Sequence, residues 1–187
     1  MAMSCIRRNS SSILQLIIVI IIITPLSSSF SPTDIVTKDL LDKLCSQTTR
    51  HRFCVRWLTA DTTTTSMNIH GLMELTVEKT RALGLNNLAL MNDFARGAGN
   101  DKQLKSAYES CAESYGIAIK ELEGAKEFLR NSSFQQAIWA ASKALTYALA
   151  CKDQFEGPSN EPPLVLNRSE KFITMCHIAS GFTMLFH

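Results

Sequence analysis

The chain has 187 residues, 19 Lys+Arg against 17 Asp+Glu, and six cysteines. Arg7 and Arg8 are the only charges before residue 30, so removing those two from 19 leaves 17 basic against 17 acidic residues in the rest of the chain. That balance excludes a basic nucleic-acid surface and an acidic disordered tail.

Residues 1–29 read as a secretory signal peptide. Arg7 and Arg8 form its positive end, Ile13 to Ile23 its apolar run, and Ser27-Ser28-Ser29 the small residues before cleavage. The run is about eleven residues long, whereas a spanning helix needs roughly 20. The remaining chain of about 158 residues suits one domain with one core.

That domain reads as helical nearly throughout. Ser31-Pro32-Thr33-Asp34 carries a capping Ser and a Pro at the first helical position, with Ile35, Leu40, Leu41 and Leu44 following as an apolar face. A polar link, Ser46 to Arg52, leads to a short helix from Phe53 to Leu58, and Thr62 to Thr65 is a linker. A long helix is expected from about Met67 to Arg96, with a stripe of Ile69, Leu72, Met73, Thr76, Val77, Leu83, Leu90 and Phe94. Gly97-Ala98-Gly99-Asn100 stops it.

From Asp101 to Arg130 the pattern is clearest. Leu104, Tyr108, Cys111, Tyr115, Ala118, Leu122, Ala125 and Leu129 alternate spacings of four and three, a seam for packing against other long helices. Ser132 or Ser133 caps the next helix, about Phe134 to Phe155, whose inward residues are mostly Ala: Ala137, Ala141, Ala144 and Ala148, with Cys151. Gly157 to Pro163 is a loop. A last helix, about Leu164 to Phe186, turns Phe172, Met175, Cys176, Ala179, Phe182 and Phe186 inward. The fold class is therefore all-α: an up-down-up-down four-helix bundle at about 67–186, preceded by a helical hairpin at about 32–60.

Cys5 leaves with the signal peptide. Cys45, Cys54, Cys111, Cys151 and Cys176 remain, and an odd number in an oxidising compartment means two disulfides and a spare thiol. Counting alone leaves the pairing open. The placement of the elements favours Cys45–Cys54 across the hairpin link and Cys111–Cys151 between facing seams, with Cys176 free. Each bond would stabilise the fold by roughly 3–4 kcal/mol on a loop-entropy argument. Asn131 and Asn167 head glycosylation triplets.

No catalytic constellation is visible. His51, His70, His177 and His187 share no metal-ligand spacing, and there is no Gly-x-Ser-x-Gly elbow, phosphate loop or Cys-x-x-Cys pair. Glu121 and Glu123 do not share a helix face, and Glu109 with Glu113 reads as an exposed acidic face. Neither a catalytic residue, a metal nor a cofactor is expected. A carrier of lipids or small molecules would need a widened core, and the Ala-rich seam argues for close packing instead.

Three segments carry a family resemblance: Leu44-Cys45-Ser46-Gln47-Thr48 with Phe53-Cys54-Val55; Tyr108-Glu109-Ser110-Cys111 continuing through Tyr115 and Ala118; and Ala141-Ser142-Lys143-Ala144-Leu145 with Cys151 and Phe155-Glu156-Gly157-Pro158. Over about residues 35–186 the chain resembles the plant invertase and pectin methylesterase inhibitors. Phe155-Glu156-Gly157-Pro158 and the spare Cys176 look like the kiwi-fruit type of pectin methylesterase inhibitor. The resemblance implies the same two disulfides, secretion to the cell wall, or to the vacuole for an invertase target, and a monomeric inhibitor docked over an enzyme's active-site cleft. It implies no membrane or nucleic-acid partner. Invertase inhibitors carry Pro-Lys-Phe where this chain has Ser132-Ser133-Phe134, which keeps only the Phe. An acid invertase inhibitor and a non-inhibitory secreted relative stand as the alternatives. The resemblance places enzyme-binding residues on the two middle helices around the second disulfide. Glu113 and Asp153 match such positions, with Phe134 as a further contact. Ile117, Lys120 and Ala150 stand where the kiwi-fruit type has Asp, Asp and Thr.

Overall fold

The computed structural model describes residues 31–155 and 162–184, with the side chains of the last two left aside. The expected signal peptide at 1–29, the Phe186 position and most of the loop expected at 157–163 lie outside these residues. Among the described residues six α-helices run in order: α1 Lys38–Ser46, α2 His51–Thr59, α3 Ile69–Gly97, α4 Lys102–Arg130, α5 Phe134–Asp153 and α6 Pro163–Met184. Helices α3 to α6 form a ring in which α3 packs on α4, α4 on α5, α5 on α6, and α6 back on α3. The α1–α2 hairpin contributes Leu41, Leu44, Cys45, Cys54 and Leu58 to the same buried cluster as the bundle. Cys45–Cys54 closes the hairpin, Cys111–Cys151 joins α4 to α5, and Cys176 is a buried free thiol.

Local chemistry sets the helix starts. The side chains of Thr37, Asn68 and Asp101 accept hydrogen bonds from the backbone N–H of Leu40, Gly71 and Leu104. Each such cap contributes about 1 kcal/mol. Between α4 and α5 the chain turns differently. Ser132 takes φ 54°. The N–H of Ser132 donates to Leu129 O and that of Ser133 to Phe128 O, both at 2.8 Å. This backbone motif closes the helix C-terminus. Ser133 occupies the N-cap position of α5 without a side-chain capping bond, so the hydroxyl cap expected of Ser132 or Ser133 is replaced by backbone bonding.

The first helix begins later than its sequence signal. Ser31-Pro32-Thr33-Asp34 forms a turn, with Asp34 N–H donating to Ser31 O at 3.0 Å. Val36 N–H then donates to Met67 O, Ile69 N–H to Asp34 O and His70 N–H to Pro32 O, all at 2.9 Å. These bonds hold the turn and residues 35–36 along the entry to α3, and they outweigh the local Ser-Pro preference. Ile35, expected inward, is 60% exposed. The Thr62–Thr65 linker is also tethered: Thr64 is buried and its hydroxyl donates to Leu58 O at 2.7 Å.

The seams of α4, α5 and α6 are buried as their spacing requires, with Leu104 and Phe134 only half-buried among them. Helix α3 differs. Leu90 and Phe94 are half-buried, while Thr80, Gly84, Asn87 and Met91 are fully inside. Because α3 contacts both α4 and α6, its buried face is wider than one heptad seam. Gly84 makes room for a neighbour: a Cβ there would lie 3.0 Å from the Phe172 ring and 3.1 Å from Ile119.

A polar chain crosses the core. Asn87 Nδ2 donates to Tyr115 Oη at 3.2 Å and to Arg168 O at 3.2 Å, and Tyr115 Oη donates to Ser169 Oγ at 3.3 Å. It ties α3, α4 and α6 together in one register. Nearer the surface, Glu78 receives Arg81 at 2.9 Å and Lys126 at 2.7 Å, and Arg81 reaches Glu123 at 3.2 Å. The Arg81 hydrogen bond, then that of Lys126, hold the Glu78 carboxyl well below the usual carboxylate range, at about 2.

Both features lead to measurements. A group whose folded pKa is depressed contributes stability above its unfolded value and loses it as pH falls through the folded value. Glu78→Gln should therefore lower stability by about 1 kcal/mol near pH 6, discounted for its partial exposure. Urea melts should show the difference from the parent shrinking between pH 4.5 and about 2. Burial pushes the Cys176 thiol pKa up. The disulfide-intact native protein should resist a thiol-reactive dye, with one equivalent labelled only on unfolding; rapid native labelling would contradict the buried position.

Candidate functional site

The α4–α5 pair is closely built. Ala118 and Ala125 on α4, and Ala137, Ala141, Ala144 and Ala148 on α5, are all fully buried. Small side chains let the helix axes approach, and Cys111–Cys151 then fixes the pair. Tyr108 closes one end, with Phe94 at 5.3 Å and Phe155 at 5.5 Å between ring centroids.

Two cross-links give the register. Cys111 is bonded to Cys151, and Glu121 pairs with Lys143 at 3.7 Å. Antiparallel helices in that register place Glu113 across from Ala150 and Asp153 across from Ser110. Glu113 and Asp153 are then about 4–5 Å apart along the bundle axis. Both are exposed, and neither carries an ion pair among the described residues. Lys120 is exposed as well, while Ile117 and Ala150 are half-buried. Glu113, Ile117, Glu121 and Phe128 follow helical spacing on α4, as do Trp139, Lys143, Ala150 and Asp153 on α5. The two stripes border one outer groove.

Phe134 does not join the two acids. It starts α5, and nineteen residues separate it from Asp153, about 28 Å along the helix. Its ring meets His70 edge-on at 5.9 Å, and the His70 Nε2 donates to Leu129 O at 2.7 Å. Phe134 thus closes the far end of the bundle and offers only part of its surface.

The groove also contains aromatics that the seam pattern does not announce. Trp139 is 65% exposed and Phe128 is 38% exposed. They line a cleft of about 310 Å³ with Glu121, Gln135, Gln136 and Lys143. A Cβ on Gly124 would sit 3.9 Å from the Phe128 ring, so that ring lies over the glycine. The signal available in the sequence is phase: Trp139 falls between the seam positions Ala137 and Ala141.

Other sequence candidates fall apart spatially. Glu121 pairs with Lys143 on α5, and Glu123 with Arg81 on α3. Glu109 lies 3.9 Å from Lys105, and His51 bonds Asp42 at 2.8 Å. Among the described residues no cluster of His, Cys, Asp or Glu could hold a metal ion. Asn131 is exposed at the end of α4, and Asn167 is exposed on α6.

Residues 39–180 match the plant invertase/pectin methylesterase inhibitor family. The chain belongs to that family. It is 30% identical over 170 residues to a pectinesterase inhibitor of Actinidia deliciosa, covering 91% of this chain and 90% of the relative. It is 29% identical over 144 residues to pectinesterase inhibitor 1 of Arabidopsis thaliana, covering 77% and 80%. A cell wall/vacuolar inhibitor of fructosidase from the same plant is 22% identical over 151 residues, covering 78% and 82%. The crystal structure of a mutant pectin methylesterase inhibitor from Arabidopsis superposes with a TM-score of 0.70 at 27% identity, covering 77% of this chain and 95% of that one. The helical hairpin, four-helix bundle and two disulfides are thus features of a family member, and the exposed α4–α5 groove can be read as a surface of one.

Proposed function

We propose that this chain is a secreted inhibitor of pectin methylesterase, docking one-to-one with its α4–α5 face over the enzyme's active-site cleft and catalysing nothing itself. The observation that carries the reading is the near full-length similarity to a pectinesterase inhibitor. The signal peptide, a cell-wall location and a monomeric state belong to the same reading, as does use of Asn131 for glycosylation.

The groove geometry supports the choice of face. The disulfide-fixed pair presents Trp139, Phe128, Glu113 and Asp153 rigidly, so little ordering entropy is spent on binding. An exposed Trp over a shallow cleft is the kind of anchor on which interfaces concentrate their energy. The two acids provide orientation toward a cleft that must itself attract an acidic polymer. Acid invertase is the second target class, supported by the fructosidase-inhibitor relative. The half-buried position of Phe134 against His70 favours the pectinesterase reading, since the only retained part of the Pro-Lys-Phe motif serves the bundle end.

The deciding measurement is residual activity of a panel of plant pectin methylesterases and acid invertases with added mature protein. Inhibition of invertases alone would move the target class; inhibition of neither would leave the non-inhibitory relative. Replacing Glu113 and Asp153 together with Lys should weaken binding to the inhibited pectin methylesterase by about 1–3 kcal/mol, and Lys120→Asp should strengthen it. Trp139→Ala should cost about 2 kcal/mol or more in binding while leaving the far-ultraviolet circular dichroism unchanged. Wild-type inhibition by both the double Lys and the Trp139→Ala proteins would remove this face from the interface.

A further inference from the structure

On the other side of α5, the link between α1 and α2 lies against α5 and α6, and the seam between them is an open cleft. One lobe, about 200 Å³, is lined by Thr49, Arg50, Lys152, Glu170, Thr174 and His177. A second lobe of about 200 Å³ shares Arg50, Glu170 and Thr174 and adds Phe53, Asn167 and Lys171. Three permanent cations therefore surround one carboxylate. Among the described residues none of Arg50, Lys152 or Lys171 has a carboxylate within 4.0 Å, and Glu170 has no ion pair. Other cations of the chain do find carboxylates across helices: Arg81 and Lys126 share Glu78, Lys79 meets Asp61, and Lys143 meets Glu121. Cations drawn together around a concave surface and left without partners repel one another, and an anion seated between them relieves that repulsion.

The shape narrows the ligand. Lys152 lines one lobe, Lys171 the other and Arg50 both, so the cations are spread along the cleft and not gathered at one point. A single phosphate would meet only one end, whereas a chain with charges repeated along its length would meet both. The walls between the cations are mixed. Leu149 and Ile173 provide apolar surface, and Thr49 and Thr174 provide hydroxyls. Apolar patches beside hydroxyls match the C–H faces and hydroxyl edges of a sugar ring.

We propose that the cleft between the α1–α2 link and α5–α6 binds an acidic oligosaccharide, a chain of uronate sugars whose carboxylates are held by Arg50, Lys152 and Lys171. The site is separate from the docking face, and its test needs no enzyme. The mature, disulfide-intact protein without N-glycan is titrated with an oligogalacturonate of about ten sugars. Binding is followed by calorimetry and by amide shifts of residues around Thr49 and Thr174. Separate arms use a neutral oligosaccharide of equal length and inorganic phosphate. The expected result is saturable, salt-sensitive binding of the uronate chain, none of the neutral chain, and far weaker binding of phosphate. The exposed-side variant Lys152→Gln/Lys171→Gln should bind at least about tenfold more weakly, the loss of one charge-assisted hydrogen bond, with unchanged circular dichroism. The same variant should inhibit the target enzyme as the parent does. No binding of the uronate chain, unaltered affinity in the variant, or phosphate binding as tightly as the chain would each overturn the proposal. Since the titration contains no enzyme, its failure leaves the inhibitory reading standing, and failed inhibition leaves this one standing.

Discussion

The close approach of α4 and α5 is the constraint on which the rest of the structure depends. Alanines bury little apolar area, and each buried CH₂ contributes only about 0.8 kcal/mol, so this seam is weak in transfer energy alone. What it gains is proximity, because dispersion falls steeply with distance and close-packed backbones collect many contacts. The Cys111–Cys151 bond adds a term of different origin. It closes a loop of 40 residues in the unfolded chain, which on a loop-entropy argument contributes about 4 kcal/mol. Together they fix one register, and that register brings Glu121 to Lys143.

The other bundle contacts use a different device. Asn87, Tyr115 and Ser169 are polar groups in a core that could have been filled with hydrocarbon. Removing one member would strand the others without partners, which costs more than the bond itself contributes. A network of this kind discriminates among alternative helix alignments, since a one-turn slip of α6 would separate Ser169 from Tyr115. The α4–α5 contact is thus locked covalently, and the α3–α4–α6 contacts are aligned by hydrogen bonds and by the Gly84 notch that receives Phe172.

Sequence periodicity reads well where a helix has one dominant neighbour direction. The seams of α4 and α5 are legible for that reason, and both disulfides agree with which residues share those seams and which flank the hairpin link. Helix α3 faces two neighbours, so Thr80, Gly84 and Asn87 are buried although none is a strong hydrophobe. The start of α1 is misleading in sequence because Ser-Pro capping is a local signal, and the bonds that override it come from residues 67–70. At the candidate face, Glu113 and Asp153 are legible as acids two positions past a core cysteine. Trp139 is not: a large aromatic in an Ala-rich helix reads as core unless its phase is checked. Phe134 is legible as a residue but not as a location, because its distance from the acids is set by the length of α5.

Helix α5 also divides the surface electrically. Lys152 and Asp153 are neighbours in sequence and about 100° apart around the helix, so one lines the basic cleft while the other borders the docking groove. The balanced net charge of the chain after residue 30 therefore conceals segregation, with the unpaired acids Glu113 and Asp153 on one side of α5 and three unpaired bases around the single carboxylate of Glu170 on the other. At physiological ionic strength the screening length is about 8 Å, shorter than the bundle is wide, so the field of each side is little cancelled by the other. A molecule arranged in this way can present carboxylates to a basic enzyme cleft without those carboxylates being neutralised by its own lysines. The one cation that breaks the pattern is Lys120, exposed on α4 two turns from Glu113, where it opposes the field of the acids. Its position makes the field of the proposed docking face adjustable by a single side chain, without any change to the core that holds the face in place.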